Sequence, residues 1–519
     1  MKKILGISIA ALMVFLVSGD AMAASAGNWM TRNGSHANSI AVDGVSAVFM
    51  NGNSATLMND SLTLANSGFN FSRGRVVSGG AEGDVDMTNN ANSNTLTGGV
   101  THDGTAMAGN AWTENHSTAN AAAFDMVSLG VVNLNGAYGF NFSVGVVNSG
   151  LNFAWGPGAS IRTGNASMDV TEGNTLNTND THIRMAVTGN AMAGNMGTKN
   201  GSHTNAMAIS GTEVGVFNVN KAMGMNISLS VVNTGGNFVF GRGNVNTGDA
   251  DVTTIADNHL NSNTTSVVGT MGGNAMAGNL GTTNGSTANS LAYAGNSVGV
   301  MNLNGATGTN FVFSVANSGV NYSARGGTVR SGDVEVITNA SNTANTNETR
   351  IVGTGAGNAM AGNVGTRNGS HTNAAAVSES STTVVNLNGA DEDNTVIAVA
   401  NSGLNGATGG GTVVSGDAKI NTDVANTANT NTTTVATSGA GDAVAVNAAT
   451  ENGSTANATA VSSANTTVVN DNTAVETNTV VAVSNTGGNS AGGSVTSGDA
   501  SVTTSAGNTA NTNTTSFSL

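Results

Sequence analysis

Runs of alternating or clustered β-branched residues recur along the chain, and this pattern is typical of β-strands. Residues 394–402, 411–420 and 479–483 are clear examples. Asn-Gly, Ser-Gly, Gly-Asp and Gly-Gly pairs lie between such runs and supply the positive φ angles that tight turns require. The pattern therefore predicts short strands separated by turns, and it disfavours helix.

Three sequence motifs repeat along the chain with one period. The motif Asn-[Ser/Thr]-Gly-x-Asn starts at positions 66, 148, 233, 317, 401 and 485, so its steps are 82, 85, 84, 84 and 84. A second motif, Asn-Gly-Ser-His-Ala-Asn with variations, begins at Asn33 and keeps the same steps. A third has the form Asn-x-[Ala/Leu]-Asn-x-Asn. We expect the first asparagines of the first and third motifs to be structural: Asn66, Asn148, Asn233, Asn317, Asn401 and Asn485, and Asn89, Asn174, Asn258, Asn342, Asn426 and Asn508.

The shared period divides the chain into six units that follow an N-terminal leader. The leader covers residues 1–23. Three motifs that keep one beat indicate tandem copies of one supersecondary unit. The units are residues 28–109, 110–194, 195–278, 279–362, 363–446 and 447–519.

The fold class predicted from these repeats is an all-β, tandem-repeat β-solenoid. A string of small β-sandwich repeats is the alternative, because it also gives short strands at regular spacing. A unit of about 84 residues would divide into four coils of about 21, so six units would form a rod about 115 Å long at about 4.8 Å per coil. Asparagines at one recurring position could then stack into a ladder of side-chain amides. Neither end has an evident polar cap, which favours end-to-end pairing of copies.

The N-terminus and the composition indicate an exported protein. Lys2 and Lys3 precede an apolar run over residues 4–17, and Ala21, Met22 and Ala23 form a small-x-small cleavage pattern, as in a Sec-type signal peptide. No later run is long enough to span a membrane as an apolar helix. The net charge of -15 with only 15 Lys and Arg argues against nucleic acid and anionic membranes as partners. The absence of Cys excludes disulfides and thiolate metal sites.

No residue pattern points to catalysis. The chain has no nucleophile elbow with His and Asp at repeat-independent positions, and sixfold repetition opposes the unique pocket that an enzyme needs. We therefore predict no enzyme, no catalytic residues and no cofactor. A carboxylate that recurs after Ser/Thr-Gly could indicate calcium sites, but calcium needs six to eight oxygens, and we favour an Asx-type turn at this position. These carboxylates are Asp249, Asp333, Asp417 and Asp499.

Two further residue sets permit more than one interpretation. His36, His203 and His371 share one repeat position with threonines of the even-numbered units, and we expect them to be solvated turn residues, not metal ligands. Aromatic residues flank the Asn-[Ser/Thr]-Gly motif in units one to four, and Met107, Met192, Met276 and Met360 recur in Ala-Met-Ala-Gly-Asn. We expect them to point inward and fill a wide core. The alternative is an exposed aromatic stripe that contacts a partner.

The signal peptide, the Gly/Asn-rich tandem repeats and regularly placed asparagines such as Asn426, Asn429 and Asn431 define a resemblance. In these features the chain resembles bacterial extracellular fibre proteins, namely functional-amyloid subunits of the curlin and Fap type and β-solenoid adhesins. The resemblance implies a secreted or cell-surface structural subunit that polymerises with itself, without inserting into a membrane. The alternative is a monomeric rod-like adhesin, or an ice- or glycan-binding protein that uses flat rows such as Thr430 to Thr434 to contact a surface glycan or a host surface.

Overall fold

Five parallel β-sheets stack the chain on itself in the computed structural model, which describes residues 12–18 and 24–518. Each repeat unit contributes strands to all five sheets, and no helix occurs among the described residues. The protein is thus a β-solenoid, as the repeats predict.

The long sheet contains the longest strands of the fold. Each of its six strands has 31 residues. Every strand pairs in parallel with the strand of the next unit, residue on residue. In chain order the strands are His36–Asn66, Thr118–Asn148, His203–Asn233, Thr287–Asn317, His371–Asn401 and Thr455–Asn485.

Two sheets together lie opposite the long sheet. The return sheet comprises Leu12–Ser18, Ala81–His102, Ala166–Val187, Ala250–Thr270, Val334–Thr354, Ala418–Ala428, Asn431–Thr437, Ala500–Ala510 and Asn513–Ser518. The alanine sheet comprises Ala24–Arg32, Thr105–Glu114, Asn190–Lys199, Ala275–Leu280, Ala359–Val364 and Ala443–Ala448.

Two small sheets close one end of each coil. The first comprises Phe71–Ser72, Phe153–Trp155, Phe238–Phe240, Tyr322–Ser323, Gly406–Ala407 and Ser490–Ala491. The second comprises Arg75–Val77, Ser160–Arg162, Val245–Asn246, Thr328–Arg330, Thr412–Val414 and Val495–Thr496.

One repeat unit forms one complete coil, so the predicted division of a unit into four coils is wrong. His203 pairs with Thr118 of the preceding unit on one side and with Thr287 of the following unit on the other. No two strands of the same unit pair with each other, and they lie in different sheets except in units five and six, where the return-sheet strand is interrupted into two consecutive strands. A coil therefore passes once through the alanine, long, small and return sheets before the next coil begins.

The large coil makes the molecule wide and short. A strand of 31 residues spans about 100 Å at about 3.3 Å per residue, whereas six coils at about 4.8 Å rise only about 29 Å. The predicted rod of about 115 Å along the solenoid axis is consequently also wrong. The protein is a two-layer slab whose large faces are the outer surfaces of the long sheet and of the two sheets opposite it.

The core between the layers consists of small and β-branched side chains in strict alternation with outward residues. Where the alanine sheet faces the long sheet, the hydrophobic cluster consists of alanines, for example Ala106, Ala108, Ala121 and Ala123. Where the return sheet faces it, valine, leucine and isoleucine form a second cluster. Each inward residue repeats in all or most coils, so the core is built of rows parallel to the solenoid axis.

Strand length differs from the sequence-based expectation in both directions. Residues 394–401 and 479–483 lie inside 31-residue strands and are not separate short strands. Residues 411–420, expected as one strand, are divided into Thr412–Val414 and Ala418 onward, because the chain turns at Ser415, Gly416 and Asp417.

The expected signal peptide lies mostly outside the described residues. Lys2, Lys3 and the cleavage pattern Ala21, Met22 and Ala23 are among the residues that are not described. Leu12–Ser18 is described as a strand, and it pairs in parallel with residues 95–101 of the return sheet. In the described residues, no helix is long and apolar enough to cross a membrane.

Deleting one whole coil should leave a folded protein. Removal of residues 279–362 joins Gly278 to Asn363 and recreates the native junction between Gly362 and Asn363, so that every inward row stays in register. We expect a five-coil solenoid with a cooperative thermal transition by far-UV circular dichroism. Removal of residues 287–307, a quarter of one coil, deletes most of a long strand and should destroy the transition. Equal stability of the two deletions would contradict the coil length.

Candidate functional site

Stacked asparagine side chains are the most regular chemical feature of the interior. The predicted position Asn89 donates from its amide nitrogen to Asn174 Oδ1 at 2.9 Å, and each of its equivalents continues the row to Asn508. The predicted position Asn66 accepts from Asn148 at 2.7 Å, and that row continues to Asn485. All twelve named asparagines therefore lie in two amide ladders that run the height of the molecule.

The motif that begins at Asn89 places two ladders on the same side of one strand. Asn89 and Asn94 are separated by an odd number of positions, so plain alternation would point them to opposite faces. Asn92 lies between them with φ of 57°, and its equivalents have φ between 55° and 60°. Asn92 thus adopts the left-handed conformation, which asparagine tolerates. This residue shifts the alternation by one position, so that both Asn89 and Asn94 point inward.

Ladders from the two layers interlock across the core. Asn53 of the long sheet donates to Asn94 of the return sheet at 2.6 Å, and Asn94 donates onward to Asn135 of the next coil at 2.9 Å. The zigzag continues through Asn179 and Asn220. A second zigzag joins the ladders of Asn59 and Asn89 in the same manner. Because each amide has partners both along the axis and across the core, these buried polar groups are satisfied.

The Asn-[Ser/Thr]-Gly-x-Asn motif forms the turn that leaves the long sheet. Asn70 donates to Ser67 O at 2.9 Å and to Asn152 Oδ1 of the next coil at 2.8 Å, and Ser67 donates to Gly79 O. A Cβ added to Gly68 would lie 1.9 Å from Gly150 O of the next coil. Glycine is therefore required at this position because stacked turns approach through their backbones.

Several ladders were not singled out from the sequence. The rows that begin at Asn28, Asn51, Asn53 and Asn59 keep the same period as the motifs. The row of Asn28 contains the last residue of the Ala-Met-Ala-Gly-Asn motif, in which only the methionines were considered, and Asn51 with Asn53 belongs to an Asn-x-Asn pair that recurs in all six units. Comparison of the units position by position, not by motif, would have found them.

The ladders have direction. Among the described residues eleven full ladders run from the first coil to the sixth. In eight of them each amide donates to the next coil, with N to O distances between 2.7 and 3.3 Å; these begin at Asn28, Asn51, Asn53, Asn59, Asn70, Asn89, Asn92 and Asn94. In three, which begin at Asn33, Asn38 and Asn66, each donates to the preceding coil.

The aspartates considered for calcium form an exposed row along one edge. Asp333 donates its backbone N–H to Asp249 Oδ1 at 3.0 Å, and Asp417 and Asp499 repeat the contact. The carboxylates of Asp249, Asp333 and Asp417 thus accept from the backbone of the next coil. No group of three or more His, Asp or Glu side chains in the described chain is arranged to hold a metal ion.

The histidine and threonine rows are less regular than their motifs. His36, His203 and His371 are exposed and alternate with threonines, so successive histidines lie two coils, about 10 Å, apart. The outward row of Thr432 contains Asp180 and Glu348, and Thr433 is buried. The stretch from Thr430 to Thr434 is therefore not part of a continuous flat threonine array.

The large apolar residues near the turn point outward, so the expectation that they fill the core is wrong. Phe140 and Phe142 alternate with buried Asn141 and Ser143. The rings of Phe71, Phe153 and Phe238 stack on the surface with centroids 4.9 and 5.2 Å apart. Met107, Met192, Met276 and Met360 also lie on an outer face, and Met107 is 41% exposed. Near this turn the ladders leave inward room for small and medium-sized side chains, and the aromatic residues therefore occupy the outer face.

Two carboxyl groups are buried in the core without a cation. Burial raises the pKa of Glu172 to about 7, although Ser143 donates to it. Burial and then the charge of Glu476 in the next coil raise the pKa of Glu392 to about 9, and neither oxygen of Glu392 has a hydrogen bond of normal geometry. Glu392 occupies a position held by Gly224 and Gly308 in earlier coils. Burial therefore favours the protonated form of both carboxyls.

Replacing a central ladder asparagine should destabilise the fold strongly. Asn258 donates to Asn342 and Asn310 at 2.8 and 3.1 Å and accepts from Asn174 at 2.8 Å. Asn258→Ala therefore removes a hydrogen-bond partner from buried amides in the coils on both sides. We expect the free energy of unfolding to fall by about 3 to 5 kcal/mol. The control Asn289→Ala lies in an exposed ladder where water replaces the lost bonds, and should cost less than about 1 kcal/mol. Urea unfolding measures both, and equal losses would contradict the buried ladder's role.

Stability should fall as the pH rises from about 4.5 to about 9. The pKa of Glu392 rises from 4.5 unfolded to about 9 folded, so the folded state binds more protons in this range and loses stability as they leave. Glu392→Gln should melt close to the parent at pH 4.5 and be more stable by about 2 to 4 kcal/mol at pH 8. The exposed control Glu348→Gln should leave the pH dependence unchanged. Parent stability that rises across this range would refute the assignment.

Comparisons of this chain with protein-family models, with curated proteins and with solved structures found no match.

Proposed function

We propose that this protein is an exported structural subunit that assembles end to end into an extracellular fibre, matrix or surface layer. The observation that carries the proposal is that the first and sixth coils leave their outer strand edges and core rows uncovered by residues 24–518, and that these two surfaces match each other. The segment Leu12–Ser18, considered below, pairs with part of the first-coil edge.

The sixth coil exposes side chains that belong to the core. Ala374 and Ala376 of the fifth coil are 3% and 0% exposed, whereas their partners Ala458 and Ala460 in the sixth coil are exposed. At the other end Val45 and Ala47 are only partly buried, although Val127 and Leu129 of the second coil are buried. Another coil placed on either end would cover these residues.

The two ends are complementary in hydrogen bonding. In eight ladders the amide of the sixth coil lacks the acceptor in a following coil that every earlier amide of the ladder has, and the oxygen of the first coil lacks the donor from a preceding coil, for example at Asn472 and Asn53. Asn472 keeps only its bond across the core to Asn513 at 3.1 Å. In the other three the roles are reversed, as at Asn485 and Asn66. The sixth coil of one copy stacked on the first coil of the next would therefore continue all eleven ladders. Stacking two identical ends would place donors against donors.

The backbone edges match in the same way. Ala418 donates its N–H to Asp499 O at 2.8 Å, and Ala81 donates to Asn165 O at 3.0 Å. By the same geometry the N–H of Ala500 points toward a following copy and Gly80 O toward a preceding one. Leu12–Ser18, which precedes the expected cleavage site, pairs with the first-coil edge over residues 95–101. Export and cleavage would free this edge.

Blocking one edge should stop assembly without unfolding the subunit. Thr455 donates its N–H to Ser370 O of the fifth coil, so Ala474, an odd number of positions further on, directs its N–H away from that coil. Ala474→Pro with Ala500→Pro removes two outward donors from the edge strands. Starting from chains that begin at Ala24, we expect filaments from the parent and single subunits from the proline variant by negative-stain electron microscopy.

The matched control is Ala474→Ser with Ala500→Ser, which keeps both N–H groups and should form filaments. Circular dichroism checks that the proline variant is folded. Filaments from the folded proline variant would refute the edge contact. Monodisperse single subunits from the parent would refute the assembly itself and favour the alternative, a monomeric surface-binding protein.

A further inference from the structure

The outer face of the long sheet carries an apolar surface near the end of its strands. We define the outer apolar patch as the outward positions of Phe140, Phe142, Val144 and Val146 with their in-register partners in the other five coils. Asn141, Ser143 and Val147, each of which follows one of these residues in the strand, are buried in the core. The patch therefore lies outside the core between the layers.

Two rows of the patch are apolar in every coil. The row of Val146 contains Leu64, Val231, Val315, Val399 and Val483. The row of Val144 likewise contains only leucine, valine, phenylalanine and isoleucine. The charged residues of the patch are Asp60 in the first coil and Asp393 in the fifth, both in the outermost two rows. The second, third and fourth coils thus present an apolar surface in which Thr309 is the one polar residue.

The size of the patch fits a specific protein contact. Four outward positions span about 27 Å along the strands and six coils about 29 Å across them, a footprint of roughly 600 to 800 Å². Two such faces in contact would bury about 1,200 to 1,600 Å², the range of stable protein interfaces. Apolar patches of this area on a monomer generally mark interaction sites.

We infer that the occupant of the outer apolar patch is the same patch of a second copy, so that two subunits pair face to face through their long sheets. A flat face of β-branched and aromatic residues is self-complementary, because two such sheets pack about 10 Å apart with interdigitated side chains. Anionic lipid is disfavoured as occupant, since the chain carries a net charge of -15 and the patch has no Lys or Arg. The pairing uses a different surface from the end contact and does not depend on it.

The pairing can be tested on subunits whose ends are blocked. In chains that begin at Ala24 and carry Ala474→Pro with Ala500→Pro, sedimentation equilibrium should give the mass of two chains. Adding Leu229→Glu with Phe313→Glu places two carboxylates in the central coils of each patch, and the mass should fall to that of one chain. An equimolar mixture of this variant with Leu229→Lys plus Phe313→Lys should recover two chains, which shows that the variants are folded.

The matched control places the same charges on the outer face of the same two strands, far from the patch. Met207→Glu with Leu291→Glu lies on the same strands as Leu229 and Phe313 but about 75 Å away, and should leave two chains. A monomeric parent background, or a control that also dissociates, would overturn the inference. So would a monomer that co-sediments with phosphatidylcholine vesicles only when Leu229 and Phe313 are intact.

Filaments of the unblocked chain give an independent measure. If both contacts form, the mass per unit length should correspond to two chains per subunit rise. Filaments with one chain per rise would overturn the lateral pairing and leave the end contact standing. Two-chain particles without filaments would overturn the end contact and leave the lateral pairing standing.

Discussion

The fold depends on the hydrogen bond between an asparagine amide and the same amide one coil further along. A buried side-chain amide is costly unless both its donor and its acceptor are used. Stacking at the spacing of parallel strands satisfies both with a chemically identical neighbour, as between Asn218 and Asn302 at 2.8 Å. The condition is strict: each ladder position must recur at the length of one coil. All six units meet that condition, and the small differences in their lengths are absorbed in turns outside the ladders.

The ladders determine which residues lie on each side of the sheets. Interlocked amides from two layers, such as Asn135 and Asn179 at 2.9 Å, leave room only for small and medium-sized side chains beside them. Beside these amides, near the turn that leaves the long sheet, the aromatic residues Phe142, Phe311 and Phe313 face outward. The usual relation between polarity and burial is thereby inverted over part of the molecule. A protein with a polar, satisfied core and an apolar outer face is suited to contacts with other subunits.

The sequence predicts the fold class and the period but not the coil. Alternation and turn pairs indicate strands, and three motifs reveal units that each close one coil. Strand length is underestimated because Asn-Gly pairs such as Asn304 and Gly305 are ordinary turn signals; in the long sheet Asn304 points inward to its ladder and the strand continues. The side of the aromatic residues is missed for a related reason. Alternation of Phe140, Asn141 and Phe142 is symmetric between two faces, and only stacking on the neighbouring coils decides that the amide is inside.

Directional ladders also determine what kind of assembly the ends permit. A two-fold contact brings a surface against itself, whereas the first and sixth coils present opposite sets of amide donors and acceptors, as at Asn53 and Asn472. End contacts must therefore be head to tail. A head-to-tail contact forms a ring only if its rotation closes. Stacked coils follow one another with the small rotation between neighbouring strands, so the proposed end contact would extend as an open filament. The outer apolar patch has no such direction, because no amide ladder runs through it. The two surfaces thus differ in symmetry. Filaments extended through the proposed end contact would pair through the outer apolar patches without competition between the two contacts.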